Sequence, residues 1–351
     1  MDDMSNDILR TKNTGEAGNG GEFGAKRHDE ADVVLENMEH MAAYTAIVKL
    51  LPVSESYWRE TERVSRVALN IMFDAGDPRV AALIKQSPDG AVGALESVMY
   101  PSHNGDAVDP DLSDLRDTAL KYTPESIAKE LLEARRLGLS IVLPNSKVWP
   151  TGLSDLGDGA PLVLWTKGDL SLVSDVEHNI AIEGARASTG YGEHVTMTIS
   201  AALSEQRTIV SSGAYGISGM ALRSTLAAGQ QPVLIAASGH SNLTPAAHTA
   251  LFARVADVGA VVSEYAPSAA PTKKRFIRRN KVLAAIAGTT VIVEASARSG
   301  SLSVAREAKA LGRKVGAVPG PVTSAISAGT HLLISEGTAK IITSEADVLS
   351  L

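Results

Sequence analysis

The chain has 351 residues, 44% hydrophobic and only 4% aromatic, which suits aliphatic cores in two domains rather than one. It has no cysteine, which excludes a disulfide framework and thiolate metal sites and fits a reducing compartment. The formal charge is −7, but residues 1–60 hold 12 acids against 6 bases, so the remainder, with 28 against 27, is nearly balanced and free to carry a basic face.

Residues 1–40 are rich in Gly, Asn, Asp and Glu without an apolar period, the composition of a disordered acidic leader. The N-terminus lacks a signal-peptide pattern, and no apolar run reaches the ~18 residues of a membrane helix, so a cytoplasmic protein without membrane contact is expected. From 41 to 138 the pattern is helical. Val64, Val67, Ala68 and Ile71 recur at three- and four-residue steps, Asp77-Pro78 is a helix start, and Pro124 opens a helix that breaks at Gly138. These features predict a small helical domain.

The rhythm changes for 139–351. Short apolar runs are expected as strands: Ser140–Pro144, Pro161–Trp165, Ile180–Glu183, Thr208–Ser211, Pro232–Ala236, Ala260–Glu264, Thr290–Ala295, Lys314–Val318 and Lys340–Ile342. Between them lie helical patterns at Glu193–Gln206, Ile217–Ala228, Pro245–Val258, Ile277–Ala287, Ser301–Leu311 and Ala325–Glu336. Near-continuous Val/Ile runs alternating with amphipathic helices predict an α/β fold, a Rossmann-like, doubly wound and mostly parallel sheet.

In such sheets ligands bind beyond the carboxyl ends of the strands. The loops there are built from small residues: Gly184-Ala-Arg186, Ser211-Ser212-Gly213, Ser238-Gly-His, Ser299-Gly300-Ser301 and Pro319-Gly-Pro. Backbone amides in such loops approach phosphates closely, and helix N-termini add partial positive charge. The same loops also serve as ordinary tight turns. One stretch departs from the background: Lys273 to Lys281 has six bases in nine residues and one of four phenylalanines. It predicts a cationic arm leading into a helix, with Arg278, Arg279 and Lys281 on phosphates. Phe276 is either a base-stacking platform or a core anchor for that helix. Glu183, Glu264 and Glu294 near strand ends are acid/base candidates or partners for arginines. The eight histidines show no ligand spacing, a phosphate-loop motif is absent, and neither metal nor cofactor is expected.

Taken in series these loops resemble the DNA-processing protein A family, also called Smf. The resemblance runs from about Leu162 to Leu349 and rests on Leu162-Val-Leu-Trp-Thr-Lys-Gly168, Gly184-Ala-Arg186, Ile209–Ile217, Gly259–Tyr265, Phe276-Ile-Arg-Arg-Asn280, Ser299-Gly-Ser-Leu302 and Gly312–Gly320. The helical region near Arg63–Leu95 is compatible with that family's sterile-alpha-motif-like domain. The resemblance implies an extended Rossmann-like homodimer that binds single-stranded DNA, without catalysis, and loads a RecA recombinase in DNA processing, transformation and recombination. It implies DNA-binding roles for Arg186, Arg279, Asn280, Ser299, Gly300 and Ser301, and for Lys273, Lys274 and Phe276. Several positions depart from the family pattern: its Gly-Ile-Asp reads Gly216-Ile-Ser218, its Ala-His reads Ala221-Leu222, its Ser-Gly-Leu-Ala reads Ser211-Ser-Gly-Ala214, and its Gly-Ser-Arg reads Gly184-Ala-Arg186. The match runs to the end of the chain, so a member without the winged helix found in many others is expected. A different reading is a nucleotide sensor or nucleotide-cleaving enzyme with Glu294 as the acid. A third is an interaction scaffold without nucleic-acid affinity.

Overall fold

In the computed structural model, which describes residues 57–99 and 110–351, the helical pattern gives five helices before the first strand. They are α1 (Tyr57–Met72), α2 (Pro78–Gln86), α3 (Ala91–Met99), α4 (Pro110–Ala119) and α5 (Pro124–Leu137). The punctuation works as its chemistry requires. The Asp77 carboxylate accepts from the Arg79 N–H ahead of Pro78, and Thr123 and Ser126 form a reciprocal cap on α5. Gly138 ends α5 at φ 68°, a left-handed turn that a β-carbon would disfavour. The expected leader at 1–40 lies outside the described residues, all of which fall in one unit, Ala43–Leu351.

The remaining elements alternate. They are β1 (Ser140–Val142), β2 (Leu164–Gly168), β3 (Asn179–Glu183), α6 (Gly190–Ser204), β4 (Thr208–Ser211), α7 (Ile217–Ala227), β5 (Val233–Ala236), α8 (Thr249–Val258) and β6 (Ala260–Ser263). There follow α9 (Lys273–Ile286), β7 (Thr289–Ile292), α10 (Ser301–Ala310), β8 (Lys314–Ala317), α11 (Ala328–Ser335), β9 (Lys340–Ile341) and α12 (Glu345–Leu349). The strands form one sheet in the order β1-β2-β6-β5-β4-β3-β7-β8-β9. β1 and β2 are antiparallel additions at one edge, and every other pairing is parallel. The chain winds outward from β3 to β6, then crosses back to lay β7 on the other side of β3, with Ile182 opposite Val291. β3 and β7 therefore flank the point where the winding reverses, and the fold is the extended Rossmann-like α/β sheet.

Strand alternation separates the two apolar layers. Ala181, Val233, Ile235 and Ile292 point to the side where Val282–Ile286 of α9 and Leu302 of α10 pack. Their neighbours Ile180, Ile182, Leu234 and Val291 point to the other side, against α6, α7, α8 and α12. Leu222 is fully buried in that second layer, in one cluster with Phe252, so this position is a core residue. The helices α1–α5 share their core with the sheet edge: Val67, Leu69, Ile127 and Leu131 pack with Val163, Trp165 and Ala266. Trp165 Nε1 donates to Asn70 Oδ1 at 2.8 Å, and Asn70 Nδ2 donates to the Glu264 carbonyl at 3.0 Å. Among the described residues no helix is long and apolar enough to cross a membrane.

His240, after β5, points Nε2 at the Val261 carbonyl 3.2 Å away, so Nε2 carries the proton and donates. Its Nδ1 is buried with no hydrogen-bond partner. Burial lowers its pKa to about 4, with Lys167 adding to the effect and the Val261 bond opposing it. A depressed folded pKa means that the unfolded chain takes up the proton first. The contribution of the neutral ring is intact above the usual pKa near 6.5 and is lost as pH falls from there towards 4, by about 3 kcal/mol in all. Urea denaturation at pH 7 and pH 4.5 is expected to show a smaller acid loss for His240→Gln than for the unaltered protein.

Candidate functional site

A cleft of about 1100 Å³ opens at the winding reversal, beyond the ends of β3 and β7. Its walls are the β3–α6 loop (Gly184 to Ala187), the β4–α7 loop (Ser212, Ala214), the first turns of α9, and the β7–α10 loop (Ser296, Ser299 to Ser301). Gly184 has to be a glycine, because a β-carbon there would press 2.7 Å from the Ile217 side chain and 2.9 Å from the Glu294 carbonyl.

The basic stretch differs from its sequence reading. It is not an arm leading into a helix at Ile277: α9 begins at Lys273, and Thr272 Oγ1 caps it by accepting from the Arg275 N–H at 3.2 Å. So many cations at a helix N-terminus oppose the helix dipole. The helix is held by its apolar second half, with Val282 to Ile286 buried, and by acids from elsewhere. Lys274 Nζ lies 2.6 Å from Asp74, and Arg278 Nε lies 3.1 and 3.2 Å from the two oxygens of Glu264. Arg278 also donates to the Gly159 carbonyl, and Arg275 stacks 4.8 Å from the Tyr265 ring. Helical spacing thus divides the stretch: Lys274, Arg275 and Arg278 turn towards α1, β6 and their surroundings, while Lys273, Phe276, Arg279 and Asn280 face the cleft. Arg278 and Lys281, which the sequence groups with phosphate contacts, do not line the cleft, nor does Lys274. Lys281 is exposed on the helix.

Phe276 is half-buried, with the Arg186 guanidinium 5.7 Å and the Arg279 guanidinium 5.9 Å from its ring centroid. Both distances are in the range of cation–π attraction. Arg186 is exposed, whereas Arg279 is buried at 7% exposure. Arg279 reaches only neutral oxygens: Asn280 Oδ1 at 3.2 Å, and the carbonyls of Ile235 and Ser212 at 3.3 and 3.4 Å. Burial lowers its pKa from the usual value, the Glu183 charge raises it, and Arg186 lowers it.

Glu183 forms the floor of the cleft. One oxygen accepts from Ser212 N–H at 2.6 Å and lies 3.0 Å from Ser211 Oγ, whose single proton has the Ile182 carbonyl nearer at 2.8 Å; the other accepts from Ser218 Oγ at 2.9 Å and Ser212 Oγ at 3.0 Å. Ser211 is fully buried beneath this contact, and Gly213, at φ 65°, turns the loop against Leu234 and Phe252. Both therefore support the wall and do not line it. On the opposite wall Ser301 Oγ donates to the Gly184 carbonyl at 2.7 Å, and Ser299 Oγ accepts from the Ser301 N–H at 3.3 Å. Asn280 Nδ2 donates to Ser303 Oγ at 2.7 Å, so it ties α10 to α9. Glu294 is buried outside the cleft lining, accepting from Thr189 N–H at 3.0 Å and Thr189 Oγ1 at 2.5 Å at the start of α6.

The structure thus gathers Arg186, Ser212, Lys273, Phe276, Arg279, Asn280 and Ser299 to Ser301 at one cleft. Sequence reasoning passed over Ala325 and Ile326, which line its far end because α11 begins at Ala328 and not at Ala325. It also passed over Ser218 as a donor, since a hydroxyl inside a helix has no spacing signal. Among the described residues no group of His, Asp or Glu side chains is arranged to hold a metal ion.

The model of the family described as DNA recombination-mediator protein A matches residues 140–351. A putative DNA processing protein DprA of Mycobacterium tuberculosis is 40% identical over 243 residues, 66% of this chain and 62% of that protein, so the chain matches about three fifths of that relative's length. The crystal structure of DNA processing protein A from Streptococcus pneumoniae superposes with a TM-score of 0.67 at 24% identity, over 86% of this chain and 98% of that one, a likeness of fold. The structure of DNA processing protein A from Helicobacter pylori, described for its single-stranded DNA binding mode, gives a TM-score of 0.55 at 27% identity over 60% of this chain and 94% of that one.

Proposed function

This chain belongs to the DNA recombination-mediator protein A family, and from that premise we propose that its cleft binds single-stranded DNA and performs no chemistry on it. The observation that carries this reading is the grouping of Arg186, Phe276 and Arg279, two guanidiniums about one aromatic ring at the mouth of a cleft. Guanidiniums hold phosphates, and an aromatic face accepts any base without reading its sequence. The Ser299–Ser301 turn at the start of α10 lines the same space. The H. pylori relative's described binding of single strands supports the same choice of ligand.

The carboxylates nearby argue against a nucleotide-cleaving enzyme. Glu183 accepts from Ser212 and Ser218 of its own fold at both oxygens, and Glu294 faces Thr189 outside the cleft. Glu183 lies on the cleft floor but is engaged by the loop it holds, and Glu294 does not face the cleft, as a general acid or base would have to. The family further suggests a homodimer that hands its strand to a RecA-type recombinase in the cytoplasm. The outermost strand β9, with Ile341 half-exposed, offers a sheet edge to a second copy.

Fluorescence anisotropy with oligo-dT and with duplex DNA at two salt concentrations tests the reading. Preference for the single strand is expected, with affinity falling as salt rises. Arg186→Ala is expected to weaken oligo-dT binding about 10-fold and to make the salt slope shallower by roughly 0.7, the value of one phosphate contact. Unchanged affinity and slope in this variant would remove Arg186 from the site.

A further inference from the structure

Two tyrosines beyond the strand ends are comparably exposed, Tyr191 at 45% and Tyr215 at 49%. Tyr191 has a use within the fold, since its hydroxyl donates to the Pro319 carbonyl at 2.7 Å. Tyr215 is held by its ring instead. It meets the His248 ring edge-to-face, with centroids 5.1 Å apart and planes at 73°. His248 is buried, stands edge-on to Phe252 at 5.8 Å, and donates from Nδ1 to the Gly213 carbonyl 2.9 Å away. The loop is therefore fixed on both sides of Tyr215. Gly213, at φ 65°, is tied to His248, and Gly216, at φ 70°, packs against the Ala185 and Arg186 carbonyls, where a β-carbon would come within 2.2 and 2.6 Å. The Ile217 N–H then donates to the Ala185 carbonyl at 3.1 Å. An exposed ring on a loop pinned in this way loses little freedom when a ligand covers it.

The place of this ring relative to the cleft points to its ligand. The cleft lies beyond β3 and β7, and β4, whose loop carries Tyr215, is the next strand beside β3. Ala214, the residue before Tyr215, lines the cleft itself. Arg186 covers the ground between: its carbonyl lies against Gly216, and its guanidinium reaches the Phe276 ring, 5.7 Å from the centroid. An extended single strand repeats base and phosphate in turn, and two aromatic rings with an arginine on the way between them repeat the matching groups. We infer that Tyr215 is a second base-stacking face, on which a strand leaving the cleft over the β4–α7 loop lays a further base. The inference rests on the single-strand reading of the cleft and lengthens the site towards β4. A ring face accepts any base, so the extension adds affinity without adding sequence preference.

The test titrates an oligo-dT of about fifteen nucleotides, near the upper end of what single-strand sites cover, by anisotropy at two salt concentrations. The proteins are the unaltered chain, Tyr215→Ala, Tyr215→Leu, Tyr215→Phe and Arg186→Ala, each with its melting temperature. Tyr215→Ala and Tyr215→Leu are expected to bind about 10-fold more weakly, and Tyr215→Phe, which restores the flat face, to recover to within about twofold. Tyr215→Leu keeps apolar bulk against His248, so it carries the comparison should Tyr215→Ala melt early. The salt slope is expected to stay that of the unaltered protein in all three Tyr215 variants, because stacking releases no counterions, whereas Arg186→Ala flattens it. Unchanged affinity in Tyr215→Leu, an equal loss in Tyr215→Phe, or a slope flattened by any of the three overturns the inference. If Arg186→Ala weakens binding and Tyr215→Leu does not, the second face alone fails. If the unaltered protein binds no oligo-dT, the single-strand reading fails and the second face with it.

Discussion

Arg279→Ala is expected to lower affinity for a single-stranded oligonucleotide by about 100-fold, more than any other single change in the cleft. The reason lies in its surroundings. Arg279 is buried among neutral carbonyl and amide oxygens, and Glu183, the nearby anion, spends its hydrogen bonds on serines. A cation in such a place has lost much of its water without gaining a direct ionic partner. Charges interact more strongly in a weakly polarisable interior than in solvent, so a phosphate oxygen reaching it gains more there than at exposed Arg186. A loss of ~3 kcal/mol matches the usual cost of truncating one partner of a desolvated charge pair. Arg279→Lys is expected to rescue little, because one ammonium cannot span Ser212, Ile235 and Asn280 as the planar fork does. Anisotropy titration of both variants, with far-UV circular dichroism to confirm folding, checks this, and an Arg279→Ala affinity within threefold of the unaltered protein would rule it out.

Glu264→Ala is expected to cost the fold about 3–5 kcal/mol, read as a lower urea midpoint at unchanged slope. Glu264 is 3% exposed at the end of β6, and its carboxylate receives Arg278 Nε at both oxygens. Burial pushes its pKa above the usual carboxylate range, while Arg278 pulls it down. The variant strands the Arg278 guanidinium between the Gly76 turn and the Gly159 carbonyl, with little access to water. The expensive step is the unpaired charge rather than the lost attraction. Replacing both partners, as Glu264→Gln with Arg278→Met, is therefore expected to cost less than Glu264→Ala alone. Equal costs would show that the pair acts through packing only.

Much of the architecture is legible from the chain because strand and helix leave different periods. The Val/Ile runs and the intervening helices fall where the alternation puts them, within a few residues. The turn chemistry at Asp77-Pro78 and Gly138 is equally local, and so is readable. The loops after β3 and β7 can be expected to border one cleft because a doubly wound sheet brings strand ends together whatever their distance in sequence. The basic stretch was misread for the opposite reason. Six cations without an acid look like a solvated arm, since the acids that allow a helix there, Asp74 and Glu264, are supplied by other elements. Asp74 is two hundred residues away in sequence. Glu183 is visible as an acid at a strand end, but its engagement by Ser212 and Ser218 is a fact of folding geometry that no spacing encodes.

The continuity of α9 has a mechanical side. Its 14 residues make a rod of about 21 Å. On one side it carries Phe276 and Arg279 at the cleft, and on the other it is pinned through Lys274 and Arg278 to Asp74 and Glu264. Glu264 is in turn fastened through Asn70 to Trp165. A pull on a strand seated in the cleft would not be taken up by a yielding loop. It would be transmitted along the rod and shared between the sheet and the helices α1 to α5, so that the grip on a flexible polymer is as stiff as the body of the protein behind it.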